Sequence, residues 1–298
     1  MSFTLGFRLL ALLALAFANL HAAVPAAITT DPASDKEFPA GMMVAAIPSH
    51  GSVINGVIYI PAGAGPHPAL VFFHGFPGNE QNLDLAQAAR RAGWTVLTLH
   101  YRGSWGSPGA FSFSHAIEDA AAAVAYLRTP EIIKGARLAP GRIAVVGHSM
   151  GGFMAAFTGA HDPAIIGVGL ISAWNIGPDT VALVKEAGRP AALKDMADSV
   201  PPLTGCTAES LLDEALAHAS ELNFVDQAAA LASRPLLFVN SDDGGAPHSE
   251  ALAAAARKAG GKAVTEIHFA TDHGYNDHRI ALQAAVLTWL ETLQSNAH

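Results

Sequence analysis

The chain has 298 residues, 51% hydrophobic and 14% charged, which suits one large domain with a well-buried core and excludes a disordered chain. Its 25 acidic and 17 basic residues give a formal net charge of −8 with no prominent lysine or arginine run, so nucleic-acid binding has no electrostatic basis. Cys206 is the single cysteine, which excludes an intramolecular disulfide; the 14 histidines form no His-x-x-x-His pair or cysteine–histidine cluster, so no metal or other cofactor is expected.

Residues 1–23 read as a cleavable secretory signal. One positive charge, Arg8, precedes an unbroken apolar run over 9–17, and small residues (Ala16, Ala18, Ala22, Ala23) surround a cut expected near 18–23. The alternative, a retained anchor, is disfavoured because spanning a bilayer takes roughly 20 apolar residues. No stable membrane association is expected after cleavage. The lone cysteine and the lack of an Asn-x-Ser/Thr sequon fit a periplasmic or secreted bacterial protein. Residues 24–40, with Pro25, Pro32 and Pro39, read as a leader into a domain over 41–298.

The domain opens with two apolar, β-branched stretches, 42–48 and 52–60, joined by His50-Gly51 as an antiparallel hairpin. After a loop over 62–68, strand and helix alternate. Strands are expected over 68–73, 94–99, 142–146 and 165–171. An amphipathic helix over 82–92 closes on Arg90, Arg91 and Gly93, and an alanine-rich helix spans 113–127 with Glu118 and Asp119 on its solvent face. Such alternation predicts a mostly parallel sheet with helices on both faces. The pattern breaks over 175–234, where short helical pieces (180–187, 191–197, 209–219, 226–232) are punctuated by Pro201-Pro202 and Gly205. This reads as a helical cap over the active edge, or alternatively as a peripheral decoration. Strands over 235–239 and 263–269 and a helix over 276–293 complete the chain.

Gly147-His-Ser-Met-Gly151 lies between a strand and a small-residue stretch compatible with a helix. Strand, sharp turn and helix are what a serine nucleophile needs, with glycines on either side removing side chains that would collide. A serine needs a base, and the base an orienting acid. Asp242 and Asp243 sit in the loop 240–247 past one strand, and His273 sits in the loop past the next, all at the carboxyl edge of the sheet. Asp243 is favoured as the acid, with Asp242 the fallback. Oxyanion donors are expected from the N–H of Met150, opening the helix, and of Phe76, in the His74-Gly-Phe-Pro-Gly78 loop. His74 is read as holding that loop's turn, Asp272 as shaping its own loop, and His278 as a surface or packing residue one turn into the last helix. Trp105, Phe76 and Phe111 are candidates to line an apolar pocket, or to pack the loops together.

These features together resemble the α/β-hydrolases: a His-Gly oxyanion loop, a single Gly-x-Ser-x-Gly, a late aspartate loop and a final Asp-His-Gly. The resemblance covers roughly residues 40–293. It is nearest to dienelactone-hydrolase-like proteins and, through Tyr101-Arg-Gly-Ser-Trp-Gly-Ser-Pro-Gly109, to prolyl-oligopeptidase-type catalytic domains. It implies an α/β-hydrolase fold with a Ser149–His273–Asp243 triad. Two departures stand out: the nucleophile is serine where dienelactone hydrolases proper use cysteine, and the stretch before the first strands leaves no room for an oligopeptidase propeller. The expected substrates are small carboxylic esters or lactones, or alternatively short peptides. In the peptide case Asp213-Glu214 of the insertion is a candidate to hold a free amine, against a solvated helix face. A non-catalytic binding protein is a third reading, disfavoured by the intact serine, aspartate and histidine set. The oligomeric state is left open.

Overall fold

The computed structural model describes residues 24–295, so the signal-sequence reading of 1–23 lies outside the described residues. Eight strands form one sheet: β1 (Gly41–Ser49), β2 (Ser52–Ile60), β3 (His67–Phe73), β4 (Thr95–Leu99), β5 (Leu138–His148), β6 (Ile165–Ile171), β7 (Leu236–Asn240) and β8 (Val264–His268). Their order is β1-β2-β4-β3-β5-β6-β7-β8, antiparallel at β1–β2 and β2–β4 and parallel from β4 through β8.

Central strands covered on both faces read as continuous apolar runs, and all of β7 is buried. At the edges the pattern loosens. β1 alternates buried and exposed positions through residues 44–49, and β8 has no buried residue. Alternate side chains of one strand enter opposite layers. Val71, Phe73 and Val145 join the layer built on the helices Phe113–Leu127 and Met150–His161. Leu70, Phe72, Ala144 and Val146 join the layer under the helices Leu83–Arg91 and Arg279–Ser295.

β3 lies between β4 and β5, so the strand order reverses there, and the crevice outside such a reversal is where open α/β sheets bind ligands. The loop after β3 and the turn after β5 both open into it. Residues 175–234 fold as the helices Ile176–Ala187, Arg189–Ser199 and Ala208–Ala217, a 3₁₀ turn Phe224–Gln227 and a short helix Ala228–Leu231.

Three details differ from the sequence reading. Asp119 is fully buried, not on a solvent face. It shares a row with Ala116, Ala120 and Ala123, and it accepts hydrogen bonds from Ser49 Oγ (2.5 Å), Arg102 Nε (2.7 Å) and the Arg102 N–H (2.7 Å). The Arg102 charge is what makes that burial tolerable. The last helix starts at Arg279, so His278 precedes it: Asp272 captures the Asn276 N–H at 3.0 Å and holds residues 272–276 in a turn. A further helix spans Ala246–Lys258, between the two last strands, with Pro247 in its first turn and Arg257-Lys258 in its last.

Candidate active site

β5 ends in the glycine-flanked turn that carries Ser149. Ser149 has φ 57° and ψ −123°, a left-handed conformation costly for a side chain-bearing residue. Close packing imposes it. A Cβ at position 147 would lie 1.9 Å from the Gly151 carbonyl oxygen, and one at position 151 would lie 2.0 Å from that of Phe73. The Ser149 N–H donates to Ile171 O (2.9 Å), and Ser149 O accepts from Trp174 (3.1 Å), so β6 clamps the turn.

The loop after β3 presses on the serine from the other side. A Cβ at position 75 would sit 2.9 Å from Ser149 Cβ. His74 is buried and its Nδ1–H donates to Gly75 O at 2.8 Å, which holds the turn; burial drives its pKa down to about 4. Among the described residues the N–H groups of Phe76 and Met150 donate to no other group, leaving both free for an incoming oxygen.

Asp243 and His273 arrive from the ends of β7 and β8. His273 Nδ1–H donates to Asp243 Oδ2 at 2.6 Å, and the Gly245 N–H donates to Asp243 Oδ1 at 2.9 Å. Burial acts to raise the Asp243 carboxyl. The His273 and Gly245 hydrogen bonds, the imidazole charge and the Ser172 hydroxyl outweigh it and hold the group well below the usual carboxylate range. Ser172 itself is buried with φ 40°, hydrogen-bonded to Ser241 Oγ (2.8 Å) and to the Tyr275 hydroxyl (2.9 Å), which in turn donates to Val239 O. Asp242, by contrast, is 61% exposed and accepts from His268 Nε2 at 2.7 Å.

Ser149, His273 and Asp243 line one cavity of about 380 Å³. Ser149 and His273 share no hydrogen bond among the described residues, a contact that in ligand-free enzymes commonly tightens only when substrate arrives. The far wall comes from the insertion: Leu183 and Met196 supply apolar surface, and Asp179 and Asp195 supply carboxylates. Asp179 pairs with His248 Nε2 at 2.8 Å; burial raises its carboxyl in opposition to that partner. None of these cap residues was singled out from sequence, because nothing in a short amphipathic helix says which neighbour it will face.

Trp105 is not among the residues lining this cavity. Its indole N–H donates to Pro77 O at 2.8 Å, so it braces the loop that carries Phe76. The Phe76 ring is not among the lining residues either, and stacks with Phe111, Phe113 and Trp174 at 5.5–5.9 Å. Trp174, which sequence reasoning missed, lines the cavity in their place. The Asp213-Glu214 pair is also spent elsewhere. Asp213 bonds Arg189 (2.6 Å), and Glu214 accepts from the Phe113 and Ser114 N–H groups at the start of their helix. Among the described residues no group of three or more His, Cys, Asp or Glu side chains is placed to hold a metal ion, and no helix is long and apolar enough to cross a membrane.

A mostly parallel sheet with a glycine-flanked serine turn at its strand reversal is the architecture of the α/β-hydrolases. A family model described as alpha/beta hydrolase fold matches residues 68–256, and the chain belongs to that family. Solved structures of the same fold include an esterase from Pyrobaculum calidifontis (TM-score 0.63, 19% identity, covering 87% of this chain and 88% of that one). Est1E from Butyrivibrio proteoclasticus, solved with ferulic acid, is similar at TM-score 0.66 and 18% identity, with 85% and 99% covered. Acylaminoacyl peptidase from Pyrococcus horikoshii is similar at TM-score 0.62 and 16% identity, covering 85% of this chain but 41% of that one. No curated protein sequence matches.

Proposed function

We propose that this protein is a serine hydrolase that cleaves carboxylic esters or lactones through an acyl-enzyme. The observation that carries the reading is one cavity lined by a strained, glycine-clamped Ser149 and by a His273 imidazole oriented by an ionised Asp243. Ser149 Oγ attacks the substrate carbonyl carbon while His273 Nε2 takes its proton, and Asp243 holds the imidazole in the required tautomer. The Phe76 and Met150 N–H groups receive the oxyanion. His273 then returns the proton to the leaving alcohol, and water attacks the acyl carbonyl with His273 again as base. The esterases that share the fold support this choice of bond.

A second reading, a small exopeptidase with the same mechanism, is favoured by one observation: Asp179 and Asp195 place carboxylates, groups that can bind a substrate amine, on the cavity wall. Turnover of p-nitrophenyl esters of increasing acyl length, against aminoacyl and dipeptidyl p-nitroanilides, separates the two. Strong ester hydrolysis with negligible anilide cleavage is expected, and efficient anilide cleavage reverses the assignment.

The charge and apolar pattern of residues 1–23 supports export to the periplasm or medium. N-terminal sequencing of the protein from its producing cells tests that: a start near residue 24 is expected, and an intact Met1 sinks it.

A further inference from the structure

His148, between Gly147 and the nucleophile, has no part in the chemistry above, yet it is only 4% exposed at the end of β5. Its Nε2–H donates to the main-chain carbonyl oxygen of His273 at 2.7 Å, and the two rings lie 4.7 Å apart between centroids. Among the described residues this is the only hydrogen bond that the His273 main chain makes. The neighbouring turns of that loop are tied elsewhere: Phe269 N–H to Asn240 O, Asp242 N–H to Thr271 O, and Tyr275 OH to Val239 O. Without His148, the His273 main chain would keep no hydrogen bond of its own among the described residues; its ring would still meet Asp243, and the turn around it would still be closed by Asp272.

The tautomer follows from the surroundings. Nε2 must carry the proton to donate, and Nδ1 is buried with no partner among the described residues. A second proton would sit on Nδ1 with no acceptor, beside an imidazole that itself becomes cationic during turnover. Burial first, then the His273 charge, bring the His148 pKa down to about 4, so it is neutral whenever His273 works as a base.

We propose that His148 is a positioning residue: it ties the main chain of His273 to the rigid end of β5, one residue from Ser149, and so sets where the base meets the nucleophile. This rests on the reading of Ser149 and His273 as nucleophile and base. The coupling is economical, because one strand end carries both the attacking oxygen and the anchor of its base. A misplacement of about 1 Å between reacting groups can cost on the order of 100-fold in rate.

The test compares His148→Leu, which keeps volume but removes the donor, with His148→Gln, whose amide N–H reaches close to the position of Nε2. The p-nitrophenyl ester turned over fastest is the substrate. His148→Leu is expected to lower kcat by about 10- to 100-fold with KM little changed, and His148→Gln to recover most of the loss. A His148→Leu protein with the parent's kcat overturns the proposal. So does a His148→Gln protein as slow as the leucine variant when both keep the parent's thermal midpoint. If His148→Leu does not fold, ring ¹⁵N NMR of the parent decides, with His148→Gln used to assign the resonance. A neutral Nε2–H ring at pH 7 is expected, and an imidazolium or an Nδ1–H ring overturns it. Ser149→Ala keeps the two readings apart. If that variant is dead while His148→Leu is unimpaired, only the role of His148 fails; if it stays active, the reading of the site itself fails.

Discussion

The two walls of the cavity are built under opposite constraints. On the sheet side, an added Cβ at Gly147 or Gly151 would overlap backbone at 1.9–2.0 Å, and eight of the first nine residues of the helix Met150–His161 are buried. On the cap side, the helices Ile176–Ala187 and Arg189–Ser199 bury three and two residues, and the rest of their surface is wholly or partly in contact with solvent. The groups that must be placed to a fraction of an ångström thus sit where close packing leaves no alternative conformation. The groups that shape the pocket sit on a segment with fewer buried contacts, the kind that opens locally at lower free energy. Under the proposed mechanism, reaction and selection fall to different parts of the chain because they need different rigidity.

The comparison breaks first at Ser149. Ser149→Ala is expected to lower kcat/KM on the preferred ester by on the order of 10⁴-fold or more while the protein stays folded. A loss of only a few-fold would move the chemistry off the sheet wall. Next come the two adjacent aspartates. Asp243→Asn should cost on the order of 10³- to 10⁴-fold in kcat, because the amide favours the wrong imidazole tautomer. Asp242→Asn, at an exposed carboxylate paired with His268, should leave kcat near the parent value. Equal losses from both would deny Asp243 its role.

Glycine replacements sharpen the contrast in stability. Gly147→Ala should destabilise by about 3 kcal/mol or more, since its Cβ meets backbone that cannot yield. Gly188→Ala, between the two cap helices, meets only Pro190 Cδ at 3.7 Å, so its cost is the backbone strain of φ 85° and ψ 158° alone, about 1 to 3 kcal/mol. Urea unfolding of both variants measures the difference, and equal costs would erase it.

Acid should act through the sheet wall as well. His74 and His148 have folded pKa values of about 4 against 6.5 for the free side chain, so between those values the unfolded chain binds more protons than the folded one. Stability contributed by these neutral rings is therefore complete above pH 6.5 and falls as pH drops toward 4, by up to about 3 kcal/mol each. Unfolding free energy measured across that window should fall more steeply in the parent than in His148→Gln. The smallest effect belongs to the cap. Met196→Ala should shift preference among p-nitrophenyl esters of different acyl length by about tenfold without changing the pH dependence of kcat. No shift at all would mean that the substrate does not touch this wall.

Much of the fold was legible because its signals are local. β6 and the helix Phe113–Leu127 match their expected spans residue for residue, since both are long apolar or alanine-rich runs with clear ends. The candidate site was legible where a motif constrains its own backbone, as at residues 147–151, and where chain order narrows the choice, as at Asp243 and His273. It was not legible where a side chain's partner is distant in sequence. Asp119 is buried because Arg102 reaches it from 17 residues away, and Trp105 turns to Pro77, 28 residues away, rather than into the cavity. Asp179 and Met196 line the cavity only because the insertion folds back over the sheet edge, and Trp174 lines it from just past the end of β6, where its N–H bonds Ser149 O.

Periodicity, turn chemistry and short motifs are written within a few residues, and they determined the strand–helix alternation, the serine turn and the order in which the aspartate and histidine loops follow it. Which of two neighbouring aspartates meets His273, what the cap presents to the cavity, and how His148 reaches the main chain of His273 across 125 residues were decided by tertiary structure alone. Those contacts join segments with no local coupling, and their geometry exists only once the sheet has set the distance between strand ends.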